Sequence, residues 1–375
     1  MAGVYLHIPF CKQACHYCDF HFSTNTSSQK RMVNAISQEL ILQKDYLGND
    51  KVETIYFGGG TPSLLSAEEL RHLLETINNN FEISSSPEIT LEANPDDLNF
   101  QKLRNLAKVG INRLSIGIQS FNNEQLSYLN RAHNSQEAKD CVGNAREVGI
   151  DNISIDLIYG IPSNNHDNWN NNLAQALALH PTHISSYCLT IENKTAFGSW
   201  LKKGKIQPIN EEYAAQQFEI LLSTLDDNGY EQYEISNFSL PDQHSKHNSN
   251  YWKHEKYLGV GPSAHSYNEI NRQFNISNNA KYMDAIEQSE VPFNLDELAH
   301  KDHINEYLLT SLRTKWGVDL NKLKEKYQAD LLNANQGYIQ DLLNKGLASS
   351  NNNTLILTNK GKLFADKIAS DLFFM

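Results

Sequence analysis

Six short β-like stretches, interleaved with longer amphipathic ones, constrain this chain more than any other feature. The strand candidates span residues 4–8, 53–57, 88–94, 112–120, 152–160 and 182–190. Helix-like segments at 28–46, 66–79, 136–148 and 168–179 lie between them. Successive βα units build a parallel sheet with right-handed crossovers, so the expected fold class is α/β, a sheet curled into a partial (β/α)6 barrel. Each strand also has two unlike faces. Val4, Leu6 and Ile8 alternate with Tyr5 and His7, and Ile89 and Leu91 with Thr90, Glu92 and Asn94. Leu114, Ile116 and Ile118 alternate with Ser115, Gly117 and Gln119, and Ile153, Ile155 and Leu157 with Ser154 and Asp156. A closed eight-stranded barrel fills its lumen with Val, Ile and Leu. Here the apolar face should meet the helices, leaving a polar cavity lined by Glu92, Gln119 and Asp156. The alternative is an antiparallel sheet with one wet face, which the intervening helices disfavour.

The pattern changes near residue 235. Residues 237–249 read as a loop rich in His, Ser and Asn, and 257–266 as a Gly/Pro-punctuated segment. Beyond 295 come helices at 295–314, 319–327 and 331–344, a short hairpin around Ser-Ser-Asn-Asn-Asn, and a last helix at 359–372. The expected organisation is a core over 1–235, a connecting segment over 236–294 and a smaller, mostly helical, winged-helix-like domain over 295–375. Winged helices often bind DNA, but from Lys301 onward 10 Lys/Arg face 8 Asp/Glu, and the whole chain carries a formal charge of -12. Neither suits a phosphate backbone, so no nucleic-acid partner is expected and the domain reads as structural or as a lid. No apolar run reaches the ~18 residues of a membrane span. The first residues lack a basic start and a cleavage-like site, so the expected location is the cytoplasm and not the membrane.

The five cysteines are unevenly placed. Cys11, Cys15 and Cys18 fall within eight residues, while Cys141 and Cys188 stand apart as small packing residues. An odd count argues against a disulfide framework. The close trio sits in the loop after the first strand, at the end of a parallel barrel where active sites gather. Three thiolates can hold three corners of an iron–sulfur cube and leave one iron open. A Cys₃His zinc site completed by His16 or His21 is the alternative.

The C-x₃-C-x₂-C motif resembles that of the radical SAM superfamily, in which the open iron binds S-adenosylmethionine (SAM). Tyr-Leu-His-Ile-Pro-Phe before Cys11, Gly58-Gly59-Gly60-Thr61-Pro62, Gln119-Ser120-Phe121 and residues 156–162 narrow the resemblance to the oxygen-independent coproporphyrinogen oxidase family. It covers nearly the whole chain. It implies a [4Fe–4S] cluster on Cys11, Cys15 and Cys18. It also implies SAM-site positions at Tyr5, Tyr17, Gly59, Gly60, Thr61 and Glu92, and cavity positions at Gln119, Arg131 and Asp156. The glycines should let backbone approach a ligand and offer it free N–H groups. A buried Asp156 needs a partner, such as Arg131 or a ligand group, and a plain structural ion pair would also meet that need.

Two departures from the oxidases matter. They carry a further Cys two residues after the third, where this chain has Phe20, and a long segment before the cluster loop, where it has ten residues. Both features resemble the HemW-type haem-chaperone branch. That branch has a His-Asn-x-x-Tyr-Trp signature, here His247, Asn248, Tyr251 and Trp252. A neutral imidazole can ligate haem iron, and Tyr and Trp faces suit a porphyrin. Lys246, Lys253 and Lys256 could meet propionates, and His265 is a second ligand candidate. A wet loop packed on the barrel rim is the plain alternative. The expectation is a haem chaperone carrying a SAM-bound cluster, which passes haem to an acceptor protein and is compatible with a homodimer. The runner-up is a coproporphyrinogen dehydrogenase in porphyrin biosynthesis. SAM cleavage stays open, and dehydrogenase activity is not expected.

Overall fold

In a computed structural model describing residues 2–374, all six expected strands form. They are β1 (Ala2–Ile8), β2 (Val52–Gly59), β3 (Ile83–Ala93), β4 (Arg113–Gln119), β5 (Asn152–Tyr159) and β6 (His183–Cys188). Each pairs with the next in parallel. The crossovers carry α1 (Gln29–Leu42), α2 (Ala67–Asn80), α3 (Phe100–Val109), α4 (Asn123–Tyr128) with α5 (Ser135–Glu147), and α6 (Asp167–Ala178). Then α7 (Ala196–Lys202) and α8 (Glu211–Asp227) follow β6. Local chemistry sets the helix starts. Ser66 and Glu69 form a reciprocal capping box on α2, as Asn134 and Glu137 do on α5.

The two-faced strands resolve as the alternation requires. Val4, Leu6, Ile8, Leu114, Ile116 and Ile155 are buried in one core with Ile36, Leu40, Leu73 and Leu103 of the outer helices. Tyr5, Tyr56, Glu92, Arg113, Ser115, Asp156, His183 and Ser185 line a common cavity on the other face.

Beyond residue 230 the sequence reading needs correction. The segment 236–294, expected as loop and connector, contributes to the main sheet. β7 (Glu231–Glu234) and β8 (Asn237–Ser239) close one edge, with β8 antiparallel to β6. The expected loop 237–249 continues into α9 (Lys246–Lys253). β9 (Lys256–Val260) then runs parallel to β1 at the other edge. It is followed by β10 (His265–Tyr267), β11 (Asn271–Asn275), α10 (Asn279–Glu287) and β12 (Phe293–Glu297). The twelve-stranded order is β12-β11-β10-β9-β1-β2-β3-β4-β5-β6-β8-β7. These added strands are only three to five residues long, too short for alternation to stand out.

The C-terminal unit has its own core, around Leu308, Leu312, Leu323, Leu355 and Leu372. Its helices begin at α11 (His300–Leu312), because residues 293–297 remain in the main sheet. β13 (Val318–Asp319), α12 (Leu320–Tyr327), α13 (Leu331–Ala334), α14 (Gln336–Asn344), β14 (Ala348–Asn351), β15 (Thr354–Leu357), α15 (Asn359–Lys362) and α16 (Ala365–Asp371) complete it. The expected hairpin is β14–β15. Asn352 and Asn353 both take positive φ, the arrangement of a tight two-residue turn. Among the described residues, no helix is long and apolar enough to cross a membrane.

Candidate functional site

The parallel strands give the barrel two unlike ends. At the C-terminal end, Cys11, Cys15 and Cys18 lie on the loop after β1, half-buried and unpaired. The loop is tied down on both sides. Cys11 N–H donates to Ser23 O at 3.0 Å, Ser23 N–H to Pro9 O at 2.9 Å, and His16 N–H to Leu129 O at 3.1 Å. Burial and the neighbouring thiols push Cys18 up to about 12, and burial also raises Cys11. Bound iron would reverse that balance, because a coordinated thiol is deprotonated outright. Arg131 brings a positive charge to the trio. Its guanidinium donates to Cys15 Sγ at 3.3 Å, to Asn94 Oδ1 at 2.5 Å and to Gly117 O at 2.6 Å. A buried fixed cation beside thiols suits an anionic cluster. Among the described residues, no three His, Cys, Asp or Glu side chains converge on a single-ion site. A cube takes its thiolates on separate irons, so a looser trio fits it. The zinc alternative lacks a converged set of ligands among the described residues; His16 Nδ1 is held by Tyr128 O at 2.8 Å with its ring against Trp200, and His21 Nε2 by Asn279 Oδ1 at 2.7 Å.

The glycine run does something other than offer free N–H groups, which corrects the sequence reading. Gly59 N–H donates to Glu92 Oε2 at 3.1 Å, Gly60 N–H to Ile8 O at 2.8 Å, and Thr61 N–H to Phe10 O at 2.7 Å. Gly59 has φ of 105°, and a Cβ there would sit 2.7 Å from the His7 ring. A Cβ at Gly60 would sit 2.6 Å from Phe10 O. The run therefore docks the end of β2 against the strand that launches the cluster loop. Thr61 also reaches the loop, through a side-chain hydrogen bond to Cys11. Tyr17 lies beside Cys15 and Arg131.

Below the loop lies a polar cavity of about 200 Å³. Glu92 accepts from Tyr56 Oη at 2.8 Å, and burial pushes its carboxyl up to about 7. Asp156 is pushed up to about 6 by burial. Its partners are Ser185 and, at 3.4 Å, Ser115, with the charge of Arg113 nearby. Arg131, one of the partners weighed for Asp156, acts on it only through its charge, while its guanidinium donates to Cys15, to Asn94 and to Gly117 O near the end of β4. Gln119 sits at that same strand end with φ of 66°. Tyr5 Oη lies 3.2 Å from His7 Nδ1, and its ring stacks on Tyr56.

The other end of the barrel holds the His-Asn-x-x-Tyr-Trp segment, on α9 and not on a loop. Ser245 caps the helix, and the buried Glu88 carboxylate accepts from Lys246 N–H at 3.1 Å and His247 N–H at 3.0 Å. His247 is 2% exposed. Its Nδ1 pairs with Thr54 Oγ1 at 2.8 Å and its Nε2 with Tyr251 Oη at 2.8 Å. Thr54 pairs in register with Gly3, at the start of β1, where the missing side chain admits the imidazole. The helix thus forms the barrel floor, far from Cys11. The expectation of an available imidazole at His247 is corrected, since both ring nitrogens are taken. Asn248 reaches Tyr233 Oη at 3.2 Å. The lysines are also placed otherwise than expected: Lys253 lies over the Trp316 ring, and Lys256 pairs with Asp50 at 2.8 Å. Tyr251 and Trp252 do line open space, with His265.

Sequence reasoning missed Glu88, Arg113, Tyr56 and His183, which build the floor and walls. Their signal was present. Glu88 and Arg113 are in phase with Glu92 on β3 and with Ser115 and Gln119 on β4, while Tyr56 and His183 sit on the cavity faces of β2 and β6.

Comparison with known proteins agrees with this architecture. The radical SAM superfamily profile matches residues 5–175, and that of the HemN C-terminal domain matches residues 298–364. The heme chaperone HemW of Bacillus subtilis is 36% identical, covering 98% of each chain. HemW of Mycobacterium tuberculosis is 30% identical, over 99% of this chain and 94% of that one. The solved structure of Escherichia coli coproporphyrinogen III oxidase, HemN, superposes with a TM-score of 0.85 at 22% identity, covering 99% of this chain and 90% of that one. That likeness bears on the fold alone.

Proposed function

The chain belongs to the HemW haem-chaperone family of the radical SAM superfamily, and from that premise we propose that it binds haem and passes it to an acceptor protein. The observation that carries this reading is the near full-length likeness to named haem chaperones. Phe20, 68% exposed, supports it by standing where the oxidases have their further cysteine. Family membership implies a [4Fe–4S] cluster and SAM. Cys11, Cys15 and Cys18 would hold the cluster, and Arg131 would balance its charge. Tyr5, Tyr17, Gly59, Gly60, Thr61, Glu92, Gln119 and Asp156 would form the SAM cavity beneath it. A cluster and SAM bound there would supply one-electron chemistry, with the protein positioning and shielding them. Glu92, which burial pushes up to about 7, would accept from a ligand ammonium as a carboxylate and donate to a ligand hydroxyl when protonated. Five unpaired cysteines suit the reducing conditions of the cytoplasm, where we place the chain.

The test uses anaerobically reconstituted protein loaded with haemin and mixed with an apo-haemoprotein. Transfer of the Soret band to the acceptor, faster than from free haemin, is expected. Separately, incubation with coproporphyrinogen III, SAM and a reductant should leave the substrate unchanged. Formation of protoporphyrinogen would overturn the chaperone reading in favour of the oxidase.

A further inference from the structure

The haem iron needs an available ligand, and the floor of the barrel does not offer one. His247 is sealed between Thr54 and Tyr251, with both ring nitrogens in hydrogen bonds. A different space opens on the other side of Tyr251. A cavity of about 380 Å³ is lined by Tyr5, His7, Phe20, His21, Tyr257 and His265, beside the cluster loop. A second, of about 250 Å³, is lined by Trp252, His254, Tyr267 and Arg272. Tyr251, Tyr257 and His265 belong to the walls of both, so the two join into one groove along β9 and β10.

His265 is unlike the other histidines of this region. His7 and His247 have both ring nitrogens in hydrogen bonds, and His21 and His254 have their Nε2 so held. His265 is solvent-exposed and makes only a ring contact, stacking on Phe274 at 5.6 Å. Partial desolvation of its ring and the Arg272 charge hold it below the ordinary imidazole value, which favours the neutral, ligating form. Flat aromatic faces surround it, and Phe20 projects from the cluster loop. The far end has unmet donors. Trp252 Nε1 and Arg272 Nε are buried without partners, although the Arg272 guanidinium also reaches Glu306 at 2.8 Å. A propionate carboxylate would supply the acceptor both lack.

We propose that the groove along β9 and β10 is the haem site, with His265 as the axial ligand, Tyr251, Trp252, Tyr257 and Phe20 as the aromatic walls, and Arg272 as the propionate partner. This rests on the haem-chaperone reading and relocates its iron ligand. The signature segment then acts in two ways. Tyr251 and Trp252 face the groove, while His247 holds the Tyr251 hydroxyl from behind. Ligation needs only the imidazole lone pair, so no proton is released from His265.

The experiment titrates haemin into reconstituted full-length protein and records Soret absorption and resonance Raman spectra. His265→Ala should keep its iron–sulfur absorption, lose the imidazole-ligated spectrum, bind haemin at least tenfold more weakly, and recover the spectrum with added imidazole. His247→Ala should keep an imidazole-ligated spectrum. An unchanged spectrum in His265→Ala, or loss of ligation only in His247→Ala, would overturn the assignment while leaving the chaperone reading intact. Failure of the unaltered protein to bind haemin would overturn both.

Discussion

His247 shows how a residue's setting fixes what it can do. A buried neutral imidazole with both nitrogens paired organises its neighbours, and it is a poor open ligand. Burial, with the Arg113 charge, holds it down to about 3. Between that value and the ordinary 6.5, only the unfolded chain carries the proton. Stability from this group is therefore complete above 6.5 and falls as pH falls, by up to about 1.4 kcal/mol per pH unit. Replacing His247 with Gln should cost about 2–4 kcal/mol at pH 7, because the Thr54 and Tyr251 hydroxyls lose their partner. Between pH 6.5 and 5 the gap from the unaltered protein should narrow by about 2 kcal/mol. Glu39, Glu92 and Asp156, which burial raises, contribute in the opposite sense but cancel in that difference. Urea midpoints at the two pH values check it, and a constant gap contradicts the buried-neutral assignment. Arg131 is the second case. Its planar fork meets a thiol, an amide and a carbonyl at once, which a lysine cannot reproduce. Both Arg131→Met and Arg131→Lys should lose most of their cluster iron on reconstitution. Full iron retention in the Lys variant would show that charge alone suffices.

Elements were legible in proportion to their length and periodicity. β1 to β6 and their crossovers carry both signals, and the polar faces that make the cavity followed from the same alternation. The floor and the β9–β10 edge did not, because five-residue strands and an eight-residue polar helix leave no periodic trace. The sequence of α9 reads as a loop because its central residues, His-Asn-Ser-Asn-Tyr-Trp, are poor helix formers. Burial of Glu88 against its first turn overrides that preference. The glycine run was recognised for the right reason, close approach, but the approaching group is the protein itself. Gly59→Ala should strain the backbone by about 1–3 kcal/mol and displace His7. It should lower both the melting temperature and the yield of reconstituted cluster. Unchanged values for both would mean the positive φ is not required.

At the scale of the molecule, the barrel separates two tasks. Its C-terminal mouth gathers three thiols beside Arg131, above the polar cavity that Glu92 lines. Its open edge offers an aromatic groove reached from the same loop. Phe20 touches both regions, and the C-terminal unit borders the groove through Thr310 of α11. The central claim is that Cys11, Cys15 and Cys18 hold an iron–sulfur cluster with one iron open to ligand. The most direct test is electron paramagnetic resonance of the anaerobically reconstituted, reduced protein with and without SAM, with iron and sulfide assayed alongside. Equal amounts of iron and sulfide are expected, with a cluster signal that shifts on adding SAM and disappears in Cys15→Ser. Zinc in place of iron, or a signal indifferent to both SAM and Cys15→Ser, would contradict the account.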